Sequence, residues 1–538
     1  MWSIGRFFDK LSDIFCPLAN KLFVLEGKML YPSRMSQTVH GNGNGNGHSA
    51  SPSPPARKPA ITHKTAPAKN SEVSFQTSTG MRLRGQPGRF TREAATFELH
   101  GGDACLRTSE ILAEFRLCIQ GKVIYSGPAT VSNLIDEGGK TICDAALEAS
   151  HWIDADFLSA LQQGGSVATE FEQFMNEWGK IHRVSPNFKI IVADMQAFLH
   201  DLRLWVDRVE SNINSAPPAE RSRLEKNLAQ QIGQRTSPKL TAMFEKFEAC
   251  LQQVEPQLAN AYGFFAQRLL HPYLLCSPFL HRTFFKPLGY AGDYEMVNML
   301  SRDPFEGGSL YAKIINLWFW EQPPAEAHRN RLKYLAKQIE NEALRQARSG
   351  RPAQVFNFAC GPAIEIQNFL KESTLREHVS FTLADFNSET LRYTQRSMEG
   401  IKAAVGAQTP FEFQNKSVLQ LLKESESLAA RKGGAKPRFD FVYCAGLFDY
   451  LSDRTCLELM NAFYNFVAPG GLLVATNVDS FNPRQPTMNH IMAWHLIYRN
   501  ARDFATLRPS LAAPEDCSIK ADATGVNIFL EVRKPDHA

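Results

Sequence analysis

Val355-Phe356-Asn357-Phe358-Ala359-Cys360-Gly361-Pro362-Ala363-Ile364-Glu365-Ile366 is the stretch that decides the fold of this 538-residue chain. Its first four residues read as a buried apolar strand, the next five as a turn of small side chains, and Ile364 opens a helix. A strand that runs through such a turn straight into a helix is the cradle of a nucleotide-binding α/β unit. Small side chains at Ala359, Gly361 and Ala363 let the backbone approach a ligand closely. The next apolar run, Val379 to Ala384, closes on Asp385, and an acid at that place suits a ribose diol.

A pyrophosphate asks for free N–H groups and no negative charge at the start of the helix. Pro362 lacks an N–H and Glu365 puts a carboxylate in the first turn, which weakens the dinucleotide reading. S-adenosylmethionine carries no phosphate. The turn resembles the AxGxA variant of the class I methyltransferase motif, and later segments resemble that fold in the same order. Phe411 to Val418 reads as its third strand. Phe439-Asp440-Phe441-Val442-Tyr443-Cys444, followed by Ala445 to Leu451, is similar to its fourth, and the Pro469-Gly470-Gly471 turn leads into its fifth. Val526 to Val532 closes the sheet, with 516–523 as its neighbour or a polar approach loop. The resemblance implies S-adenosylmethionine as cofactor, held by Ala359, Cys360, Gly361, Asp385, Phe386, Asn415, Ser417, Val418 and Ala445. Asn415 and Ser417 stand where the fold usually has an acid near the adenine amino group, and either can accept a hydrogen bond.

Outward from this unit the chain divides into an amphipathic leader (1–35), a disordered linker (36–80), a small β-rich domain (81–154), a helical cap or substrate region (155–345) and the α/β domain (346–538). In the leader Ile4, Phe7, Phe8, Leu11, Ile14, Phe15 and Leu18 recur at helical spacing. Such a helix docks on the protein's own body or lies peripherally on a membrane. Gly-Asn repeats and Ser-Pro pairs mark the linker. The β-rich block has an outline loosely similar to a PilZ-type module, with Arg82, Arg84, Arg89 and Arg92 as a basic approach. It lacks that module's ligand motifs. Helices at Phe188 to Ile213 and Arg221 to Ile232 form a bundle.

Ten cysteines without CxxC pairs or spaced Cys/His sets exclude a zinc site or a disulfide framework as an organising feature, so no metal is expected. They suit a reducing, cytoplasmic compartment. A net charge of +4 gives no reason to expect nucleic acid, and no apolar run approaches a membrane span.

Between the bundle and the cradle lies His281 to Met296, in which Lys286-Pro287-Leu288-Gly289-Tyr290-Ala291-Gly292-Asp293 packs glycines, tyrosines and a carboxylate into a short loop. Glycine-flanked aromatics make good lids. Leu310 to Trp320 reads as an apolar helix, and Glu326 to Leu332, containing Arg331, opens another. The runs KPLGYAGDYEM, AHRNR and ACGPA together resemble the bacterial extracellular-factor family, which esterifies the carboxylate of 3-hydroxy fatty acids (3-hydroxypalmitic acid) with S-adenosylmethionine to make quorum-sensing methyl esters. The resemblance covers roughly Tyr262 to Val532. It implies an O-methyltransferase with a fatty acid acceptor and places Gly289 to Asp293 beside the active site.

A carboxylate acceptor is already ionised at neutral pH and needs no base, whereas a phenol or amine acceptor calls for one. Met488 to Arg499, after the fifth strand, reads as a helix with His490, Trp494 and Tyr498 on one face and His495 and Arg499 spaced i, i+4 beside them. Tyr290, His490, Tyr498 and Arg499 are accordingly the catalytic candidates, and Gly289, Asp293, Arg331 and Trp494 the substrate-binding ones. A phenol or amine methyltransferase, or a non-catalytic signalling protein with a ligand-sensing barrel, is the alternative.

Overall fold

The computed structural model describes residues 71–536 apart from 92, 101–105, 120, 137–139, 154–183, 216 and 431–438. The leader, most of the linker and part of the expected helical region therefore lie outside the described residues.

A closed six-stranded antiparallel barrel comes first, in the order β1-β2-β3-β6-β5-β4. Its strands are β1 (Glu72–Gln76), β2 (Arg82–Phe90), β3 (Ala94–His100), β4 (Ile111–Ile119), β5 (Lys122–Asp136) and β6 (Lys140–Leu147). Alternate residues point inward, so Val73, Phe75, Phe97, Phe115, Leu117, Tyr125 and Val131 fill the interior. The barrel thus begins at Glu72, inside the segment read from sequence as linker. Its first strand carries the period-2 pattern of Val73 and Phe75, which the flanking polar composition obscured. Arg82 and Arg84 lie exposed beside Glu114 and Glu72.

The helical region follows with Pro186–Ile213, Pro218–Leu251, Ala259–Leu274, Pro278–Phe285, Tyr294–Ser301, Leu310–Trp320 and Pro323–Arg348. Ser185 caps the first of these by accepting from the Phe188 N–H, with Pro186 at the first helical position. The second continues past Ile232 to Leu251 and takes Pro238 into its interior. Phe188, Phe244, Tyr262, Leu310 and Trp318 form one apolar core with Met488, Ile491 and Met492, which come from the far end of the chain.

The α/β domain has a seven-stranded sheet in the order β12-β13-β11-β10-β7-β8-β9. These strands are β7 (Ala353–Phe358), β8 (Val379–Asp385), β9 (Phe411–Asn415), β10 (Phe439–Cys444), β11 (Val467–Val478), β12 (Cys517–Ala521) and β13 (Asn527–Arg533). The strands from β7 to β11 run parallel, while β13 pairs antiparallel with both β11 and β12. Continuous apolar runs such as Phe441 to Cys444 are buried on both sheet faces, as parallel strands covered by helices require. The chain order reverses between β7 and β10, so the sheet splays a crevice at the carboxyl ends of these strands.

Met488–Arg499 is not the helix its apolar spacing suggests. The helix there is Gln485–His490, and an irregular segment follows in which Ala493 adopts a positive φ of 47°. Tertiary partners take the backbone N–H groups that a helix would have used: Ile497 donates to Asp449 O, His495 to Ser109 Oγ and Arg499 to Val478 O. No helix among the described residues is long and apolar enough to cross a membrane.

Candidate active site

The cleft opens at the switch point and is built first from the cradle. Ala359, Gly361 and Ala363 all adopt positive φ, at 58°, 54° and 49°, a left-handed path that glycine takes freely and that is uncommon for alanine. A Cβ placed on Gly361 would meet nothing within 4 Å, because this face of the turn looks into open space. The turn is fixed from behind: Thr394 Oγ1 donates to Gly361 O at 2.6 Å and Cys360 N to Ala384 O at 3.1 Å.

Asp385, at the end of β8, accepts from Gly361 N at 3.1 Å and from Asn387 N at 2.9 Å. Each oxygen keeps lone-pair capacity for a further donor. Burial raises its carboxyl above the ordinary aspartate value, partly offset by the backbone N–H groups and Arg107.

Across the crevice, Glu365 is buried and accepts from Tyr443 Oη at 2.7 Å and Asn357 Nδ2 at 3.2 Å, while burial pushes its carboxyl up. Arg331 enters from the Pro323–Arg348 helix beside Gly446, where a Cβ would lie 3.1 Å from Nη1. Its Nη2 donates to His328 Nδ1 at 2.9 Å. The Arg331 Nε, His328 Nε2 and Asn527 Oδ1 atoms, all on residues that line the cleft, are buried without a partner. Burial holds His328 well below the ordinary imidazole range, and the Arg331 charge adds to the effect.

Beyond β10, Tyr450 Oη accepts from Trp494 Nε1 at 2.9 Å. Gly292 of the lid loop presses against this pair, since a Cβ there would sit 2.5 Å from the same Oη. The cleft then continues into an apolar chamber walled by Phe279, Met296, Leu300, Trp318, Leu332, Met488 and Met492.

Of the residues assigned cofactor, substrate or catalytic roles from sequence, nine line this one cleft: Ala359, Cys360, Gly361, Asp385, Phe386, Ala445, Tyr290, Arg331 and Trp494. The others do not. Asn415 donates its amide to the carbonyls of Asp385 and Phe386, Ser417 and Gln420 make reciprocal side-chain bonds to each other's N–H groups at the next helix start, and Val418 is packed in the core. Gly289 abuts the barrel, with its carbonyl accepting from Ile111 N. Asp293 caps the Tyr294–Ser301 helix and is clamped by Arg282 at 2.8 Å.

His490, Tyr498 and Arg499, the other residues expected to be catalytic, do not line the cleft. His490 lies against Gly263, away from the cleft, and burial depresses its imidazole to about 4. Tyr498 is half-buried, with its hydroxyl on Met488 Sδ. Arg499 donates to Phe448 O, Asn477 Oδ1, Leu451 O and Asp453 Oδ1, so its guanidinium ties loops together. His490 ends the Gln485–His490 helix and Tyr498 and Arg499 lie in the irregular segment after it, so the helix face they were expected to share does not form.

Sequence reasoning missed Asp449, Tyr450, Gly446 and His328, for which adjacency to β10 and to the AHRNR run was the available signal. It also missed Arg107, which lies in the barrel and had no local signal at all.

No protein-family model matches this chain, and no curated protein matches it. Among solved structures, a possible exported protein from Bordetella parapertussis is 17% identical, with 60% of this chain and all of that one covered, at a TM-score of 0.36. An O-methyltransferase family protein from Burkholderia thailandensis is 15% identical over 53% of this chain and 75% of its own, at 0.30. The N-methyltransferase NodS from Bradyrhizobium japonicum, solved with S-adenosyl-L-homocysteine, is 14% identical over 45% and 98%, at 0.27. These are distant likenesses and add nothing about this chain's acceptor. The strand order, with its antiparallel β13, is itself that of the class I methyltransferase fold.

Proposed function

We propose that the protein is an S-adenosylmethionine-dependent O-methyltransferase that esterifies the carboxylate of an apolar, fatty acid-like acceptor. The observation that carries this reading is one continuous cleft with a small-residue cradle and Asp385 at one end and an apolar chamber at the other. Asp385 would hold the ribose, the Ala359–Ala363 turn would lie under the cofactor, and Arg331, buried with an orphaned Nε, would take its amino-acid carboxylate. The cofactor supplies an electrophilic methyl group. The protein's part is to orient the acceptor and exclude water.

The imidazoles support a carboxylate acceptor over a phenol or amine. His328 lines the cleft with its Nδ1 engaged by Arg331, and His490 and His495 do not line it. A 3-hydroxy fatty acid, giving a quorum-sensing methyl ester, fits the chamber's aromatic and methionine walls; the place of action we propose is cytoplasmic. Purified protein incubated with methyl-labelled S-adenosylmethionine and a panel of 3-hydroxy fatty acids, phenols and amines should put label into a volatile ester. Label in a phenol or amine product would reject the acceptor class. Cofactor binding without turnover of any acceptor would favour a non-catalytic signalling protein.

A further inference from the structure

The barrel projects one charged side chain into the cleft. Arg107, on the loop between β3 and β4, is 9% exposed and lines the same cavity as Asp385, Tyr290 and Tyr450. Its guanidinium carbon lies 3.8 Å over the centre of the Phe386 ring, and it makes no hydrogen bond or ion pair with a described residue. Asp385 lines the same cavity, and its oxygens accept from the N–H groups of Gly361 and Asn387 and not from this guanidinium. Stacking uses the face of the guanidinium and leaves its in-plane N–H groups free. A nearly buried cation with unused donors at its edge is costly unless a ligand completes it.

Its loop is not free to swing the charge out to water. Arg107 N donates to Glu110 Oε2 at 3.0 Å, and Glu110 Oε1 accepts from Ser78 N and Oγ at 2.8 and 2.6 Å. Ser109 N donates to Val131 O, and Ile111 N donates to Gly289 O in the lid. Ser109 Oγ bonds His495 N and O across the junction. Arg107 lines the cleft together with Asp385 and Gly361 of the cradle and with the Trp494–Tyr450 pair that opens the apolar chamber.

Resting on the methyltransferase reading, we infer that Arg107 is the acceptor-binding residue of this enzyme: a barrel-borne guanidinium that receives the acceptor's carboxylate edge-on while its acyl chain lies in the apolar chamber. Of the three arginines that line the cleft, Arg484 is engaged by Glu248 and Gln322; the other two then serve two carboxylates, Arg331 that of the cofactor and Arg107 that of the acceptor. The barrel becomes part of the active site and sets its preference for acids.

Calorimetry on the full-length protein saturated with S-adenosylhomocysteine tests this, with 3-hydroxydodecanoate and 1,3-dodecanediol as probes. Arg107→Met keeps the aliphatic packing on Phe386 and removes the charge; Arg107→Lys keeps the charge without the fork. Arg107→Met should weaken the acid at least tenfold while leaving the diol and S-adenosylhomocysteine within about twofold, and Arg107→Lys should recover part of the loss. Unchanged affinity for the acid in Arg107→Met overturns the inference. So does loss of S-adenosylhomocysteine affinity with the acid unaffected, which would make Arg107 a cover for the nucleoside. If the wild-type protein binds no S-adenosylhomocysteine, the methyltransferase reading fails first and takes this inference with it.

Discussion

Asp385 has two jobs, and its replacement should reveal both. It faces the cleft and also accepts from the N–H groups of Gly361 and Asn387. Asp385→Ala should weaken S-adenosylhomocysteine binding by roughly 10- to 100-fold, in line with about 1.5–3 kcal/mol for hydrogen bonds to a charged group. It should also lower the thermal midpoint, because two backbone donors lose their acceptor. Unchanged affinity in a calorimetric titration would reject its ribose role. Arg499→Ala should behave differently. Its guanidinium holds two backbone carbonyls of the β10–helix connection and Asn477, so about 2–4 kcal/mol of stability should be lost, read as a lower urea midpoint. Cofactor affinity at a concentration well below that midpoint should stay within threefold. The contrast marks what was legible at this scale. The place of Asp385 in the cleft was legible because it follows from a strand end, a local property. Arg499 was judged from a spacing that required a helix which does not form.

At the scale of elements, segments whose pattern is self-sufficient were read correctly. Leu310–Trp320 and Phe439–Cys444 are mostly apolar, are buried for most of their length, and end where the sequence says they end. The segment after β11 was misread because its N–H groups bond to Asp449, Ser109 and Val478, residues far away in sequence. The lid loop shows the same dependence at close range. Its Gly292 allows the backbone to touch Tyr450. Gly292→Ala should displace the Tyr450 hydroxyl from Trp494 and lower the rate of methyl transfer at least tenfold, with S-adenosylhomocysteine affinity within threefold. A rate equal to wild type in the labelled assay would show that the Trp494–Tyr450 contact is dispensable.

At the scale of the molecule, the barrel, the lid and the segment after β11 meet around Lys286. It is 3% exposed, adopts a positive φ of 47°, and among the described residues its ammonium finds only Phe284 O at 3.4 Å. Burial lowers its pKa from 10.5 to about 7, with His495 the titratable neighbour that feels its charge. Between about pH 7 and 10.5 the unfolded chain therefore binds a proton that the folded chain does not. This lysine's contribution makes stability rise with pH across that window, and its full penalty applies below pH 7. Lys286→Met should raise the thermal midpoint at pH 7, and its advantage over wild type should shrink towards pH 10. A difference that does not vary between these pH values would contradict the burial of an unpaired amine. None of this junction was legible beforehand, because a lysine next to a Pro-Leu-Gly turn reads as an exposed one.

The bond from Ser109 to the backbone of Ala493 and His495 joins positions 384 and 386 residues apart. On a ribosome working at ~5–20 residues per second, the barrel waits roughly 20–80 s for the segment that receives it. Throughout that interval a finished barrel would hold Arg107 away from any cleft. A nascent chain stalled before Met488 should thus protect the barrel from protease while leaving the Arg107 loop open to cleavage, and release of the last fifty residues should close it.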